Sequence, residues 1–557
     1  MKLKTKLLPL AMMALSQSLL AQQIPGSGSQ LQQLEPPAAP QNSVPQIRIE
    51  EATAAVASNA ASASVLVNEL RFTGEHIYPA TELQTVARFT PGMQLTLQDL
   101  QGMAARITAH YRNNGYFVAR AYLPAQDISN HVVTIAVSEG TLGKVVLRNQ
   151  SNLSDGLINS RLAGLNSGEV ITIEPLENHL LLVSDIPGVK VSSTLVPGTL
   201  PGTSDLMVDV VPGRRVTGLI DLDNAGNPYT GQYRLGATVN FNNFAGRGDV
   251  FSLRAVTSGS GLSYGRASYQ MMFGRVTAGV AYSRLEYQLG EQFEVLGANG
   301  TATIASVYGF MPLIRSRDSN LYFGLAYDDK TLTDRLDLFP IANRDAKARV
   351  GTASLYGNHR DNIGGGGMST FFLGLSSGSL DIQTPLALAA DAVSARTNGS
   401  YNKVVFNGSR LQRVSDSWSL YASANAQLAS KNLDPSEKFV LGGMDGVRAY
   451  PQGEGFGDEG YIVNLEARYL LTNLSERVAG QVQLLGFVDG GSITVNKNPW
   501  FAGDNRRNLS SAGVGAMWND PGNFSLRMYY AVKLGNEDAI SAPDKSGRFW
   551  FQAIKYF

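Results

Sequence analysis

Gly374-Leu375-Ser376-Ser377-Gly378 spells G-x-S-x-G, the pattern of the sharp turn that presents a hydrolase serine. That turn needs a strand running into a helix. Here the pentapeptide ends an alternating, strand-like stretch with no helical pattern after it, so a glycine-bearing strand is expected. Gly364 to Gly367 offers glycines for a phosphate loop but lacks the Lys-Ser/Thr pair and the helix, which leaves a tight turn between strands. His76, His110, His131, His179 and His359 are scattered singly, without metal-ligand spacing, and the chain has no cysteine. Thiol catalysis, cysteine-ligated metals and disulfide scaffolds are therefore excluded, and neither a metal nor a cofactor is expected. A charged pair carries more. Gln481, Gln483, Phe487 and Asp489 share the strand face opposite Val482, Leu484 and Val488, which turns Asp489 toward a barrel interior, where a carboxylate requires a cation. Arg448 lies in an unusually apolar connection, Lys438 to Pro451, within a long loop, 432–460, and loops that long are usually functional.

These residues need a scaffold, and the patterning indicates which one. Lys2, Lys4 and Lys6 precede an apolar run, Leu7 to Leu15, and then Ser16 to Ala21, which reads as a signal peptide over 1–21. The chain carries 46 basic and 46 acidic residues, giving no basic footprint for nucleic acid. Beyond the leader no stretch approaches the roughly 20 apolar residues of a membrane helix, so any membrane crossing must use strands. Residues 22–64 are rich in Gln, Pro, Ala and Ser and read as a linker, with Gly28 to Glu35 long enough for about two marginal helical turns.

From Val65 the pattern becomes that of a small α/β unit. A strand runs from Val65 through Phe72, Thr96 caps a helix whose core face is Leu100, Met103, Ala104, Ile107 and Tyr111, and Asn113-Asn114-Gly115 ends it. Strands Tyr116 to Leu123 and Val132 to Val137 follow. A similar order repeats: strand Leu142 to Leu147, helices near Asp155 to Ala163 and Glu174 to Val183, then strands Val189 to Val196 and Asp205 to Val211. This implies two duplicated domains, 65–140 and 141–212. After Pro212-Gly213 helical periodicity vanishes. Trp418, Leu420, Ala422, Ala424, Ala426 and Leu428 alternate with polar residues, as do Tyr461, Val463 and Leu465, and Met528, Tyr530 and Val532. Segments of about 10 residues, apolar on one face and charged on the other, mark a transmembrane barrel, and residues 213–557 hold about 16 of them. Alternation alone does not say which face is inside.

With these residues in hand, the sequence resembles the transporter component of two-partner secretion, a branch of the outer-membrane assembly superfamily, over essentially the whole mature chain. The resemblance rests on Val447-Arg448-Ala449-Tyr450, where the family has V-R-G-Y at the tip of an infolded sixth external loop, and on Phe487-Val488-Asp489-Gly490-Gly491, its F-x-D-x-G. Asn114-Gly115-Tyr116, Tyr122-Leu123-Pro124 and Val137-Ser138-Glu139-Gly140 are also similar to the family. It implies a mainly β fold: a 16-stranded antiparallel transmembrane barrel preceded by two α/β polypeptide-transport-associated (POTRA) domains, in the outer membrane of a Gram-negative bacterium. It further implies a loop-to-barrel latch made by Val447, Arg448, Ala449, Tyr450, Phe487, Asp489 and Gly491. Partner-binding positions at Tyr116, Tyr122, Pro124, Glu139 and Gly140 follow from the same resemblance. The expected partners are a secreted protein (a large β-helical adhesin, haemolysin or toxin), outer-membrane lipids and the barrel-assembly machinery, with the chain acting as a monomer. Three rivals differ in their demands: an assembly insertase usually has more than two periplasmic domains, a passive porin needs neither those domains nor the Arg448 and Asp489 motifs, and an enzyme needs a hydrolytic centre.

Overall fold

The computed structural model describes residues 24–34, 47–49, 64–128 and 130–557. The leader expected over 1–21 and most of the linker lie outside the described residues.

The first domain is built on the helix Leu97–Asn113. Thr96 caps it reciprocally with Asp99, each side chain bonding the other's backbone N–H, and Leu100, Met103, Ala104, Ile107 and Tyr111 form its buried stripe. A second helix, Ala80–Ala87, which the periodicity had not revealed, contributes Leu83 and Ala87 to the same core. Glu69–Thr73 pairs parallel with Val132–Ser138, which pairs antiparallel with Arg120–Tyr122. The strand expected from Tyr116 is shorter than its pattern suggested. The amides of Tyr116 and Ala119 bond back to the carbonyls of Tyr111 and Tyr116, so the chain is still turning until Arg120.

In the second domain helices Asp155–Leu162 and Ile173–Ser184 pack on strands Thr141–Asn149, Thr203–Pro212 and Val189–Pro197. Ile47–Ile49, from the segment read as linker, adds to this sheet as a fourth, parallel edge strand alongside Ser193–Leu195. The domain is anchored to the turn between barrel strands Ala298–Arg315 and Ser319–Leu336. Arg315 meets the Asp185 carboxylate through two nitrogens at 2.8 Å each, and Arg317 lies 2.7 Å from Glu177.

Sixteen strands, from Val216–Asp223 to Gly547–Tyr556, close into an antiparallel barrel. Its outer surface settles the ambiguity of alternation. Leu420, Leu428, Val463, Leu484, Val488, Met528 and Tyr530 point outward and are exposed, whereas Asn464, Glu466, Asp489 and Tyr529 on the same strands are buried inside. An apolar exterior about a polar interior suits lipid outside and is the reverse of a soluble barrel. At the end nearest the two domains, Trp418 stacks obliquely on Tyr469 at 5.0 Å and Trp518 meets Phe524 edge-on at 4.9 Å, aromatic pairs of the kind that line a membrane interface.

The G-x-S-x-G pentapeptide is neither an elbow nor the end of a strand. It lies within Gly367–Ile382, and Gly378 leaves room for the Tyr401 ring, whose Cζ would stand 2.5 Å from an added Cβ. Gly364, Gly365 and Gly366, all at positive φ, form a turn between strands. Four of the histidines are engaged separately, as in His110 with Glu82 at 3.0 Å and His359 with Ser319 at 2.7 Å.

Candidate functional site

The barrel interior is filled by two segments. The sixth external loop, between Trp418–Ala429 and Glu459–Leu470, runs inward rather than out. Its tip turns at Gly443, whose φ of 125° favours glycine, and Leu441, Val447, Ala449 and Tyr450 are wholly buried against Ile462, Leu485, Phe487 and Trp550 of the wall. Ala449 is not at a positive φ, so the glycine usual in this motif is not required for the turn here. The second filler is the short helix Ser27–Leu31, with Ser27, Gly28, Ser29 and Gln30 buried. Leu31 and Leu34 cover an inward apolar patch that includes Leu285, Ala302, Leu332 and Ala348. Apolar side chains facing a wet lumen need a cover, and this helix supplies it.

Strand register brings the polar centre together. Asn464, Asp489 and Ser511 sit opposite one another on three consecutive strands, Glu459–Leu470, Gln481–Thr494 and Arg506–Asp520. Asp489 is fully buried. Its Oδ1 accepts from Arg448 Nη2 at 2.6 Å and from Asn464 Nδ2 at 2.8 Å. Its Oδ2 accepts from Arg448 Nε at 3.0 Å, from the Arg448 backbone N–H at 3.1 Å and from Ser511 Oγ at 2.7 Å. The remaining face of the guanidinium donates to Glu466 Oε1 at 2.8 Å, and Arg468 binds the other oxygen of Glu466. The guanidinium carbon lies 3.5 Å from the Phe487 ring centre, a cation–π contact that desolvation strengthens. Trp550 Nε1 donates to the Arg448 carbonyl at 2.6 Å.

Each position of F-x-D-x-G has a physical role here. Phe487 floors the guanidinium, and Gly513 opposite it makes room for the ring, since a Cβ there would stand 2.4 Å from Phe487 Cζ. Asp489 takes the charge. Gly491 admits the loop, because a Cβ on it would meet Leu441 Cδ1 at 2.5 Å. Asn464, Glu466, Arg468, Ser511 and Trp550 were not assigned to the centre from sequence. They lie on other strands, and only register places them beside Asp489. A fully satisfied charge cluster of this kind can hold a loop in place.

The positions expected to bind a partner divide. Tyr122 is exposed on the edge strand Arg120–Tyr122, and Pro124 just beyond it is half-buried. Tyr116 is half-buried and packs edge-on against Tyr78 and Tyr111. Glu139 and Gly140 also have roles within the domain. Glu139 is buried, and its Oε1 accepts from the backbone N–H groups of His76 and Ile77, at 2.7 and 2.8 Å, and from Tyr111 Oη at 2.9 Å. Gly140 is at φ 75°, with Val118 against the place a Cβ would occupy.

The family model described as "Haemolysin secretion/activation protein ShlB/FhaC/HecB" matches residues 202–517, more than half of the chain. The chain belongs to this family. The model for the ShlB-type POTRA domain matches residues 65–140. The heme/hemopexin transporter protein HuxB of Haemophilus influenzae is 30% identical over 484 residues, covering 86% of this chain and 84% of its own. The outer membrane transporter CdiB of Dickeya dadantii is 25% identical over 429 residues, 72% of this chain and 71% of its own. Among solved structures, CdiB from Escherichia coli superposes with a TM-score of 0.64 at 21% identity, over 91% of this chain and 92% of that one. BamA from Haemophilus ducreyi lacking POTRA domains 1–3 gives 0.54 at 16% identity over 88% and 100%, a likeness of fold alone. As a ShlB/FhaC/HecB protein, the chain is an outer-membrane transporter of two-partner secretion. Its POTRA domains lie in the periplasm and it works with a secreted partner protein.

Proposed function

We propose that this transporter rests closed, receives its unfolded partner on the POTRA domains, and opens its lumen for export when the sixth loop is released from the barrel wall. The observation that carries this reading is the five-donor seat of Asp489, four of whose donors are Arg448 Nε, Nη2 and backbone N–H with Ser511 Oγ. A buried ion pair contributes less to stability than to geometry, but removing one member leaves a buried charge unpaired at a cost of about 3–5 kcal/mol. Arg448 and Asp489 therefore act as a latch that holds Val447, Ala449 and Tyr450 against the wall.

Capture uses the open edge at Arg120–Tyr122, where an extended chain adds as a strand through main-chain hydrogen bonds, with the Tyr122 ring alongside. The second sheet has its Val189–Pro197 edge occupied by Ile47–Ile49, so a partner strand binding there must displace this chain's own. Export proceeds without catalysis by this chain, which acts as a monomer placed in the membrane by the barrel-assembly machinery, and folding of the partner outside supplies the drive. The test is secretion of the co-expressed partner by Arg448→Ala and Asp489→Ala variants. Secretion should be lost while the barrel remains heat-modifiable in the outer membrane, and wild-type secretion from both would overturn the reading.

A further inference from the structure

Arg448 secures only the tip of the sixth loop. Its return limb is held elsewhere, by Glu454, whose side chain is wholly buried. One carboxylate oxygen accepts from Arg507 Nη1, at the start of Arg506–Asp520, and both accept from the Ile540 backbone N–H at 3.1 Å. The second also accepts from the Ser541 N–H at 2.9 Å and from Ser541 Oγ at 2.6 Å. Ile540 and Ser541 belong to the eighth external loop, between Phe524–Lys533 and Gly547–Tyr556. The Glu454 carbonyl meanwhile accepts from the N–H groups of Leu441 and Gly442 on the outgoing limb, at 3.2 and 2.9 Å. One residue thus joins both limbs of the sixth loop, the seventh loop's closing strand and the eighth loop. Arg507, Ile540 and Ser541 also wall a cavity of about 780 Å³ at the outer end of the lumen, whose lining includes Ile24, Phe456, Ile493, Val495, Trp500 and Phe501.

We propose that Glu454 is a second positioning residue of export: with Arg507 and the 540–541 backbone it forms a clasp that closes the outer mouth over this apolar chamber, and the clasp must open for the partner chain to leave. The inference rests on the reading of the sixth loop as the closure of the barrel. The physical case is that a carboxylate taken wholly out of water and given four donors from two other elements defines one loop arrangement and no near neighbour of it. It differs from the latch in place and partners: the latch bonds strand side chains deep in the lumen, the clasp bonds loop backbone at the mouth.

Purified full-length protein in planar bilayers tests it. Glu454→Gln keeps the shape but turns an amide NH2 toward the Ile540 and Ser541 donors, and Arg507→Ala removes the cation. Each should raise resting conductance several-fold with the barrel assembled, and Glu454→Gln with Arg448→Ala should leak more than either alone. Wild-type conductance from both clasp variants, with Arg448→Ala leaky, rejects the clasp and leaves the loop reading intact. Wild-type conductance from all three rejects both. Because the chain has no cysteine, the pair Glu454→Cys and Ser541→Cys can be bridged uniquely with a short, cleavable dithiol linker. Bridging should stop partner secretion and cleavage should restore it. Secretion at the wild-type rate through the bridged protein overturns the proposal.

Discussion

Gly28 of the lumenal helix and Ser436 of the sixth loop touch so closely that a Cβ on Gly28 would lie 2.6 Å from the Ser436 backbone nitrogen. Ser27 donates its N–H to Asp334 Oδ1 at 2.7 Å on the wall, and Gln32 donates to the Ser436 carbonyl. The helix and the loop therefore fill the barrel as one body. The fit is not fully satisfied: Ser27 Oγ, Gln30 Nε2, Gln33 Oε1 and Ser436 Oγ are buried without a hydrogen-bond partner among the described residues. Each such group costs about 1–3 kcal/mol, so the helix is held in place with little margin.

The first expected outcome concerns that helix. Gly28→Val forces it off Ser436 and should raise resting conductance in planar bilayers, whereas Ser436→Ala removes an unpartnered hydroxyl and should lower it. Equal conductance in both variants would show that the helix does not occupy the pore in the membrane.

The second concerns the latch. Arg448→Ala and Asp489→Ala should each reduce partner secretion at least several-fold with barrel levels unchanged, and the double variant should be little worse, since one interaction is lost in all three. Arg448→Lys should not restore secretion, because an ammonium cannot span both Asp489 oxygens and Glu466 as the planar guanidinium does. Losses that add would show two independent roles.

Capture of the partner supplies the third. Deleting residues 65–139 should abolish secretion and leave a heat-modifiable barrel. Tyr122→Glu, at an exposed edge position, should weaken binding of the partner's amino-terminal region without altering hydrogen exchange in the domain core. Unchanged binding would move the contact away from this edge.

The fourth is a pH dependence. Burial first, and then the hydrogen bond to Glu139, push the Tyr111 phenol well above its ordinary value. A phenol raised in the folded state favours folding fully below its unfolded pKa of about 10, and that contribution is lost as pH rises above it, because the unfolded chain ionises there first. Amide exchange within residues 65–140 should accelerate above about pH 10, and Tyr111→Phe should flatten that rise. Glu139→Ala should destabilise the domain at neutral pH by about 1–3 kcal/mol, by stripping the acceptor from the part-buried His76 and Ile77 N–H groups and the buried Tyr111 hydroxyl.

Much of this architecture was legible in the sequence because it depends on period and local chemistry. Alternation at Trp418–Leu428 marks a strand wherever it sits, the Thr96 cap and the stripe from Leu100 to Tyr111 mark a helix, and the parity of Phe487, Asp489 and Gly491 places them on one face whatever lies opposite. Tertiary structure alone decided which face met lipid, since a period of two is the same for a barrel turned inside out. It also decided the register that sets Asn464 and Ser511 beside Asp489, because pairing between strands depends on closure of the whole sheet and leaves no local mark. Glu139 Oε1 proved to be an internal acceptor, and the two marginal helical turns weighed over Gly28 to Glu35 proved to be one short helix, Ser27–Leu31. In both cases the deciding interactions come from residues distant in the chain or from the surrounding wall, and five residues of helix persist only because the barrel encloses them.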